Sequence, residues 1–334
     1  MKSAAKILAC AAVLLAGQDA AANPKTDYAY ERVVTEFVIP GYKSLAWRAE
    51  AHAAAWNGFC ASPGGKSFED TRVSFHALAD AWAGIEIVRM GPASEDFRRE
   101  KFYYWPERKN AVERALAAIL KSRSAKDLEP REMRKASAAV QGLPALERLL
   151  FDGVADDADF KAKDAGGFRC KLGAAIAANA AILAEEMRDG WAADAVSVSE
   201  DGKTSLATDI VTAYAVIRDT KIETVIGKEP AASKPRAAEF WRSGRSLRDI
   251  AANLEALGKL NAILFDGLPE DTSLPSATST ALKIAKSLSG DLGGIARPDA
   301  LLLLDAADSA ENIALAEVPA ALGVTIGFNS LDGD

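Results

Sequence analysis

Apolar residues recur along most of the chain at spacings of three and four positions, the period of a helix that buries one face. Alanine, leucine, glutamate, lysine and arginine dominate these stretches, and all five favour helix. Alternating strand patterns are nearly absent. Helices are predicted at about 29–57, 68–90, 107–121, 129–141, 144–151, 168–189, 205–226, 235–264, 276–289 and 305–320.

Short connections separate the predicted helices, and several contain glycine or proline. Pro106 precedes the third helix, in the first-turn position where a helix tolerates proline best. Short loops between amphipathic helices produce antiparallel bundles, and 334 residues are too many for one core of ordinary size. The sequence therefore predicts an all-α fold of two antiparallel helical bundles, at 23–155 and 165–334, joined by an acidic linker that contains glycine.

Residues 1–22 have the pattern of a secretory signal peptide. Lys2 and Lys6 supply a positive start, a short apolar run follows, and three alanines end the segment. Cys10 also lies in a sequence similar to the lipid-attachment site of lipoproteins, although the apolar run continues beyond it. An exported, periplasmic protein is predicted, with a lipid anchor at Cys10 as the alternative.

Without this segment the chain has 38 basic and 46 acidic residues, a net charge of −8, which argues against nucleic acid as the main partner. No later stretch reaches about 18 uninterrupted apolar residues, so no transmembrane segment is expected. Cys60 and Cys170 are the cysteines that remain. An even pair in an oxidising compartment predicts a disulfide, and two unpaired buried thiols are the alternative.

The helix predicted at 235–264 carries two neighbouring stripes of side chains. At about 100° per residue, apolar side chains form one stripe, which is expected to face the core. Polar side chains form the other stripe at its flank, where half-buried groups either find partners or face a groove. The apolar stripe is Phe240, Leu247, Ala251 and Leu254, and the polar stripe is Glu239, Arg242, Ser243, Ser246 and Asn253.

Five segments, in order along the chain, resemble the imelysin-like family. The most informative is QGLPALERLLF at 141–151, which is similar to the segment around that family's Gly-x-His-x-x-Glu motif. The others are FC at 59–60, FYYWPER at 102–108, EFWRSGRSL at 239–247 and GVTIGFNSLDGD at 323–334. The resemblance implies two helical bundles related by pseudo-two-fold symmetry, with the motif near the groove between them. It also implies an exported protein; some members are linked to iron uptake, and one branch is described as an insulin-cleaving metallopeptidase.

The sequence departs from that motif at one position. Pro144 stands where the motif has histidine, whereas Glu147 is retained. A subgroup of predicted envelope proteins with Gly-Leu-Pro-Ala-Leu-Glu shares this departure. A catalytic zinc usually needs about three protein ligands, histidine among them, and only His52 and His76 are present. An active peptidase is therefore not expected.

Glu147 is the central candidate for a site. It either complements the dipole of its helix or projects into the groove, where it would bind a ligand, a metal ion or a partner arginine. Arginines and hydroxyls elsewhere in the matching segments suit a carboxylate or phosphate. If they converge on Glu147 they form an anion or zwitterion site, and otherwise an ion-pair network that holds the bundles together. These further candidates are Trp105, Arg108, Gln141, Glu239, Arg242, Ser243, Arg245 and Ser246.

These observations predict an exported binding protein whose occupant is iron, another divalent metal or a small anionic ligand. Two alternatives stay open, a metallopeptidase of the imelysin type and a module that recognises another envelope protein. The sequence shows no serine–histidine–acid set and no glycine-rich phosphate loop after a strand.

Overall fold

The computed structural model describes residues 24–153, 156–161, 165–191, 198–267 and 272–327. Helices dominate these residues and no strand occurs among them, which confirms the all-α class. The predicted signal segment with Cys10, and residues 328–334 of the last family-like segment, lie outside the described residues.

The helices follow one another with short connections. Up to residue 161 they are α1 Pro24–Arg32, α2 Ile39–Ala61, α3 Gly65–Ala83, α4 Arg98–Phe102, α5 Ala111–Ser122, α6 Pro130–Met133, α7 Leu143–Phe151 and α8 Ala158–Lys161. After it they are α9 Ala165–Gly190, α10 Glu200–Ala215, α11 Thr224–Ile226, α12 Ser246–Leu264, α13 Leu274–Ser287 and α14 Arg297–Leu322. Wider π-type turns at Val33–Val38 and Val216–Glu223 join α1 to α2 and α10 to α11 without a break.

Three of the predicted helices are wrong over part of their length, and the first of them, predicted at 68–90, ends at Ala83 as α3. Before Ser246 the segment predicted at 235–264 is a series of tight turns, because Phe240 and Gly244 both adopt positive φ and interrupt the helix. Within 129–141 only the single turn of α6 is α-helical, and near its end Ser137 accepts a hydrogen bond from the next turn at Ala139.

The packing of α9 departs from the predicted domain division. This helix lies along α2, and α2 also packs on α3, whereas α12 packs on α13, α13 on α14 and α14 on α10. A Cβ at Gly173 of α9 would lie 1.8 Å from the Trp56 ring, so glycine permits this close approach. The Cys60–Cys170 disulfide, which confirms the predicted pairing, joins the same two helices. The first helix of the predicted second bundle thus packs with helices of the first, and the pseudo-two-fold relation stays a prediction.

One segment among the described helices, Gly167–Gly190 of α9, is long and apolar enough to cross a membrane. A core helix meets the same criterion. Over half of its most apolar stretch, 56%, is buried inside the protein. Its packing on α2 is that of a core helix.

Candidate functional site

The motif glutamate lies on α7, a helix that is buried almost all round. Gly142 immediately precedes it, and a Cβ there would lie 1.9 Å from the Phe102 carbonyl oxygen, so the approach requires glycine. Pro144 occupies the first turn, where its missing N–H leaves no hydrogen bond unmade. Glu147 follows one turn later and is only 3% exposed.

A short 3₁₀ turn, Trp241–Ser243, faces this glutamate. Phe240 and Gly244 have φ values of 47° and 66°, which fold the chain tightly between them. The Ser243 N–H consequently donates to Glu147 Oε1 at 3.0 Å, and the Ser243 hydroxyl donates to the same oxygen at 2.7 Å. Arg242 Nη1 lies 4.0 Å from Oε2. The structure therefore brings Glu147, Arg242 and Ser243 of the candidate set together.

A cavity of about 350 Å³ lies between α7 and this turn. Pro144 and Glu147 both line it, so the carboxyl group that Ser243 anchors belongs to the cavity wall. Aromatic rings form much of the remaining wall and offer flat apolar surfaces with polar edges. They are Tyr103, Tyr104, Trp105, Phe240 and Trp241.

Side chains of both charge signs line this cavity. Arg236 lies over the Trp241 ring, with its Cζ 5.5 Å from the ring centroid, and no carboxylate of the described residues pairs with it. The hydrogen-bond donors of this guanidinium group are therefore available to a ligand. The charged lining consists of Glu107, Glu113, Glu147 and Asp152 with Arg148, Arg236 and Arg242.

The other two arginines of the lining are engaged. Arg148 is 7% exposed and pairs with Glu107 at 3.2 Å and with Asp152 at 2.8 Å. Arg242 Nε lies 3.0 Å from the same Asp152. This network fixes the positions of the charges around the cavity before any ligand arrives.

Glu147 titrates close to neutral pH. Burial raises the pKa of its carboxyl group to about 7, against the opposing effects of the Ser243 hydrogen bonds and the Arg242 charge. The group can therefore act as a charged acceptor or as a neutral donor under ordinary conditions. A carboxyl group with such a pKa in a cavity is a functional-site candidate on physical grounds.

A second set of buried charges surrounds Lys221. Its ammonium group pairs with Glu86 at 2.5 Å and with Glu239, and donates to Asn253 at 2.7 Å. The Tyr103 hydroxyl donates to Glu239. Burial, together with the negative charge of nearby Glu86, raises the pKa of Glu239, although the Lys221 charge opposes this effect. The structure thus places Glu239 in this internal network and not on the wall of the Glu147 cavity.

Gln141 and Ser246 lie away from this cavity. The Gln141 side-chain amide donates to the Ala136 carbonyl at 2.6 Å, and the Gln141 backbone carbonyl accepts from the Asn179 amide at 3.1 Å. Ser246 begins α12, and its hydroxyl oxygen accepts the Leu292 N–H at 2.7 Å. Both side chains satisfy buried polar groups of neighbouring segments, which is a structural role.

Arg245 and Arg108 also lie elsewhere. Arg245 is buried and pairs with Asp249 at 2.8 Å and with Asp80 at 2.6 Å. Arg108 lines a different cavity, and Trp105 lines both. The candidate set therefore divides between one cavity, its neighbour and the protein interior.

Several lining residues were not predicted from the sequence, among them Tyr104, Glu107, Arg148, Asp152 and Arg236. The first two lie inside the FYYWPER segment, Arg148 lies inside the motif segment, and Asp152 directly follows it. Their proximity to those segments was a usable signal. Arg236 gave none, because its segment was predicted to be a regular helix.

The residues at Glu147 do not fit a metal centre. Among the described residues, no group of three or more His, Cys, Asp or Glu side chains is placed to hold a metal ion. Both histidines are engaged elsewhere: His52 Nδ1 lies 2.8 Å from the Ser74 hydroxyl, and His76 Nδ1 lies 3.1 Å from Arg245 Nη1. The predicted metal role of Glu147 therefore lacks the accompanying ligands in this part of the chain.

Known proteins resemble this chain in sequence pattern and in fold. The family model for imelysin, peptidase family M75, matches residues 38–310. An imelysin-like protein from Psychrobacter arcticum has a solved structure with a TM-score of 0.78 and 21% identity, over 92% of this chain and 98% of that one. A Parabacteroides distasonis protein described as an iron-regulated protein A precursor gives a TM-score of 0.62 and 16% identity, over 90% and 94%. No curated protein sequence matches the chain.

Proposed function

The chain belongs to the imelysin family, and on that premise we propose that it is an exported protein that binds a small ligand in the Glu147 cavity. The pattern of residues 1–22 supports export. The Cys60–Cys170 disulfide supports it as well, because structural disulfides persist in oxidising compartments such as the periplasm.

The position of the Glu147 carboxyl group carries this proposal. A glutamate that only complemented the dipole of α7 would be expected at an exposed place in the first turn. Glu147 is instead buried, anchored through one oxygen by Ser243, and part of a cavity wall. Burying an ionisable group at this position costs solvation free energy. A role in ligand binding explains why the group is nevertheless present.

The charges around the cavity favour a zwitterionic organic ligand. Arg236 is available to a carboxylate, which guanidinium binds with paired hydrogen bonds. Glu147 and the Trp105 ring suit a cationic group, through charge and through the face of the aromatic ring. The carboxylate of such a ligand agrees with the small anionic ligand that the sequence predicted.

An iron-related role is the setting we propose for this binding. The support is the solved relative described as an iron-regulated protein A precursor. Direct binding of iron or another divalent metal is the alternative occupant. A metallopeptidase is not proposed, because the residues around Glu147 do not supply a ligand set for a catalytic metal.

Isothermal titration calorimetry of the purified protein with amino acids, dipeptides and, separately, ferrous, ferric, calcium and zinc ions tests the proposal. We expect saturable binding of at least one amino acid or dipeptide. Arg236→Gln and Glu147→Gln should each weaken it by roughly tenfold or more, since each removes a charge-assisted contact. Arg131→Gln, which removes an exposed arginine of α6, is the control and should leave affinity unchanged.

Failure of every zwitterionic probe to bind would overturn the proposed ligand class, as would equal affinity in Arg236→Gln and the wild type. Uptake of a metal ion alone, lost in Glu147→Gln, would replace the zwitterion with the metal alternative.

A further inference from the structure

A second cavity, of about 420 Å³, lies on the other side of the Trp105–Pro106 segment from Glu147. Tyr103, Trp105 and Pro106 line both cavities and form the wall that they share. The second cavity differs from the first in its balance of charge. Its charged lining consists of Arg89, Arg99, Arg108 and Lys221 with Glu86 and Glu100.

The lining of this cavity contains more positively than negatively charged side chains. Lys221 is neutralised by its ion pairs with Glu86 and Glu239. In contrast, no carboxylate of the described residues forms an ion pair with Arg89, Arg99 or Arg108. These three guanidinium groups repel one another, and the carboxylates near Arg89, which are Glu86, Glu100 and Asp209, act on it without forming an ion pair, so a bound anion would stabilise the arrangement.

The Arg89 side chain carries a donor that is buried and lacks a partner. Its Nε is inaccessible to solvent and makes no hydrogen bond, although the Arg89 backbone N–H donates to Asp209 at 2.7 Å. Burial, together with the nearby charge of Arg99, lowers the pKa of Arg89 to about 10. A buried donor left unsatisfied is rare in proteins and calls for an explanation.

Arg99 lies where it can act with Arg89 on one ligand. Its Nη1 donates to the Glu86 carbonyl oxygen at 3.2 Å, and its Cζ lies 5.3 Å from the centroid of the Trp82 ring. These contacts orient the guanidinium and leave other donors free within the cavity. Arg108 is exposed at the same cavity and adds a third positive charge.

We propose that this second cavity binds a small oxyanion, a carboxylate or a phosphate, between the guanidinium groups of Arg89, Arg99 and Arg108. Planar guanidinium forks match the geometry of both groups. This site is separate from the Glu147 cavity and does not rest on the function proposed for it.

Calorimetry with inorganic phosphate and with succinate, each at low ionic strength, tests the site and distinguishes its two sources of oxyanion. We expect saturable binding of at least one probe, weakened by added potassium chloride because salt screens the attraction. Arg89→Gln and Arg99→Gln should each reduce affinity by roughly tenfold or more. Circular dichroism checks that these variants fold, and Arg108→Gln, at an exposed position, should weaken binding without a risk to folding.

Two control variants locate the binding. Arg131→Gln removes an arginine outside the lining of both cavities and should not change the affinity for phosphate or succinate, whereas Arg236→Gln tests whether a probe binds in the Glu147 cavity instead. Loss of binding in Arg236→Gln with full binding in Arg99→Gln would assign the anion to the other cavity and overturn the proposal. The absence of binding by both probes in the wild type would overturn it too.

Discussion

Replacing Glu147 by glutamine should change how the stability of the protein depends on pH. Burial raises the pKa of this carboxyl group from the ordinary 4.5 to about 7. Between those values the folded protein keeps a proton that the unfolded chain has released. The free energy of unfolding therefore falls as pH rises through this window and levels off above it. Glutamine does not titrate, yet its amide oxygen still accepts both hydrogen bonds from Ser243.

The size of the effect follows from the pKa. A rise from 4.5 to about 7 corresponds to about 3 kcal/mol of stability lost by the wild type once the carboxyl group is charged. Of this, about 2.5 kcal/mol falls between pH 5 and pH 8. Over that range, the stability of Glu147→Gln relative to the wild type should rise by the same amount, because the two proteins share all their other titrating groups.

Urea unfolding followed by far-ultraviolet circular dichroism, at constant ionic strength, measures this difference. The matched control is Glu113→Gln, which removes a carboxylate from the rim of the same cavity where the side chain is 58% exposed. We expect a flat difference for the control and a slope for Glu147→Gln. A flat difference for Glu147→Gln would refute the reasoning, since the carboxyl group would then not titrate differently in the folded and unfolded states.

Three further changes test the packing. Lys221→Met leaves two buried glutamates without their cationic partner and should lower the unfolding free energy by about 3–5 kcal/mol at neutral pH. The loss should be smaller in acid, where the carboxyl groups are protonated, and urea titrations at two pH values measure it. Joint replacement of Cys60 and Cys170 by serine opens a cross-link spanning 110 residues. It should remove roughly 4–5 kcal/mol in the loop-entropy model, and a reducing agent should then no longer lower Tm. Gly142→Ala places a methyl group 1.9 Å from a backbone oxygen and should lower Tm by several degrees or more. Gly258→Ala, at an open position of α12, should not lower Tm in the same melting experiment.

Much of the fold was predictable because long helices repeat their apolar positions over many turns. The helix predicted at 168–189 is observed as α9, Ala165–Gly190, and the one at 144–151 as α7, Leu143–Phe151. The errors lie where a local backbone conformation overrides helix propensity. Phe240 adopts a positive φ, which could not be predicted from the residue type because bulky side chains rarely adopt one. No periodicity in the sequence carries that information.

The wrongly predicted continuous helix at 235–264 also explains why only some of its candidate residues lie at the Glu147 cavity. Arg242, Ser243 and Ser246 were assigned to one stripe of a continuous helix. The interruption at Gly244 turns the first two toward Glu147 and leaves Ser246 at the start of α12, where it binds another segment. A helical wheel cannot represent that rotation. Glu147 and Ser243 are 96 residues apart, so their contact depends on tertiary packing. The expectation that they lie close together was based on the family resemblance.

The irregular segment from 235 to 245 has a consequence for how such proteins diversify. It supplies Arg236, Trp241 and Arg242 to the Glu147 cavity while contributing no α-helix to the bundles. Connections between helices accept substitutions and changes of length more readily than the helices themselves. Selection could therefore exchange what this pocket recognises by altering one short stretch of chain. A change in this stretch would then alter the lining of the Glu147 cavity while the packing of the helices stays the same.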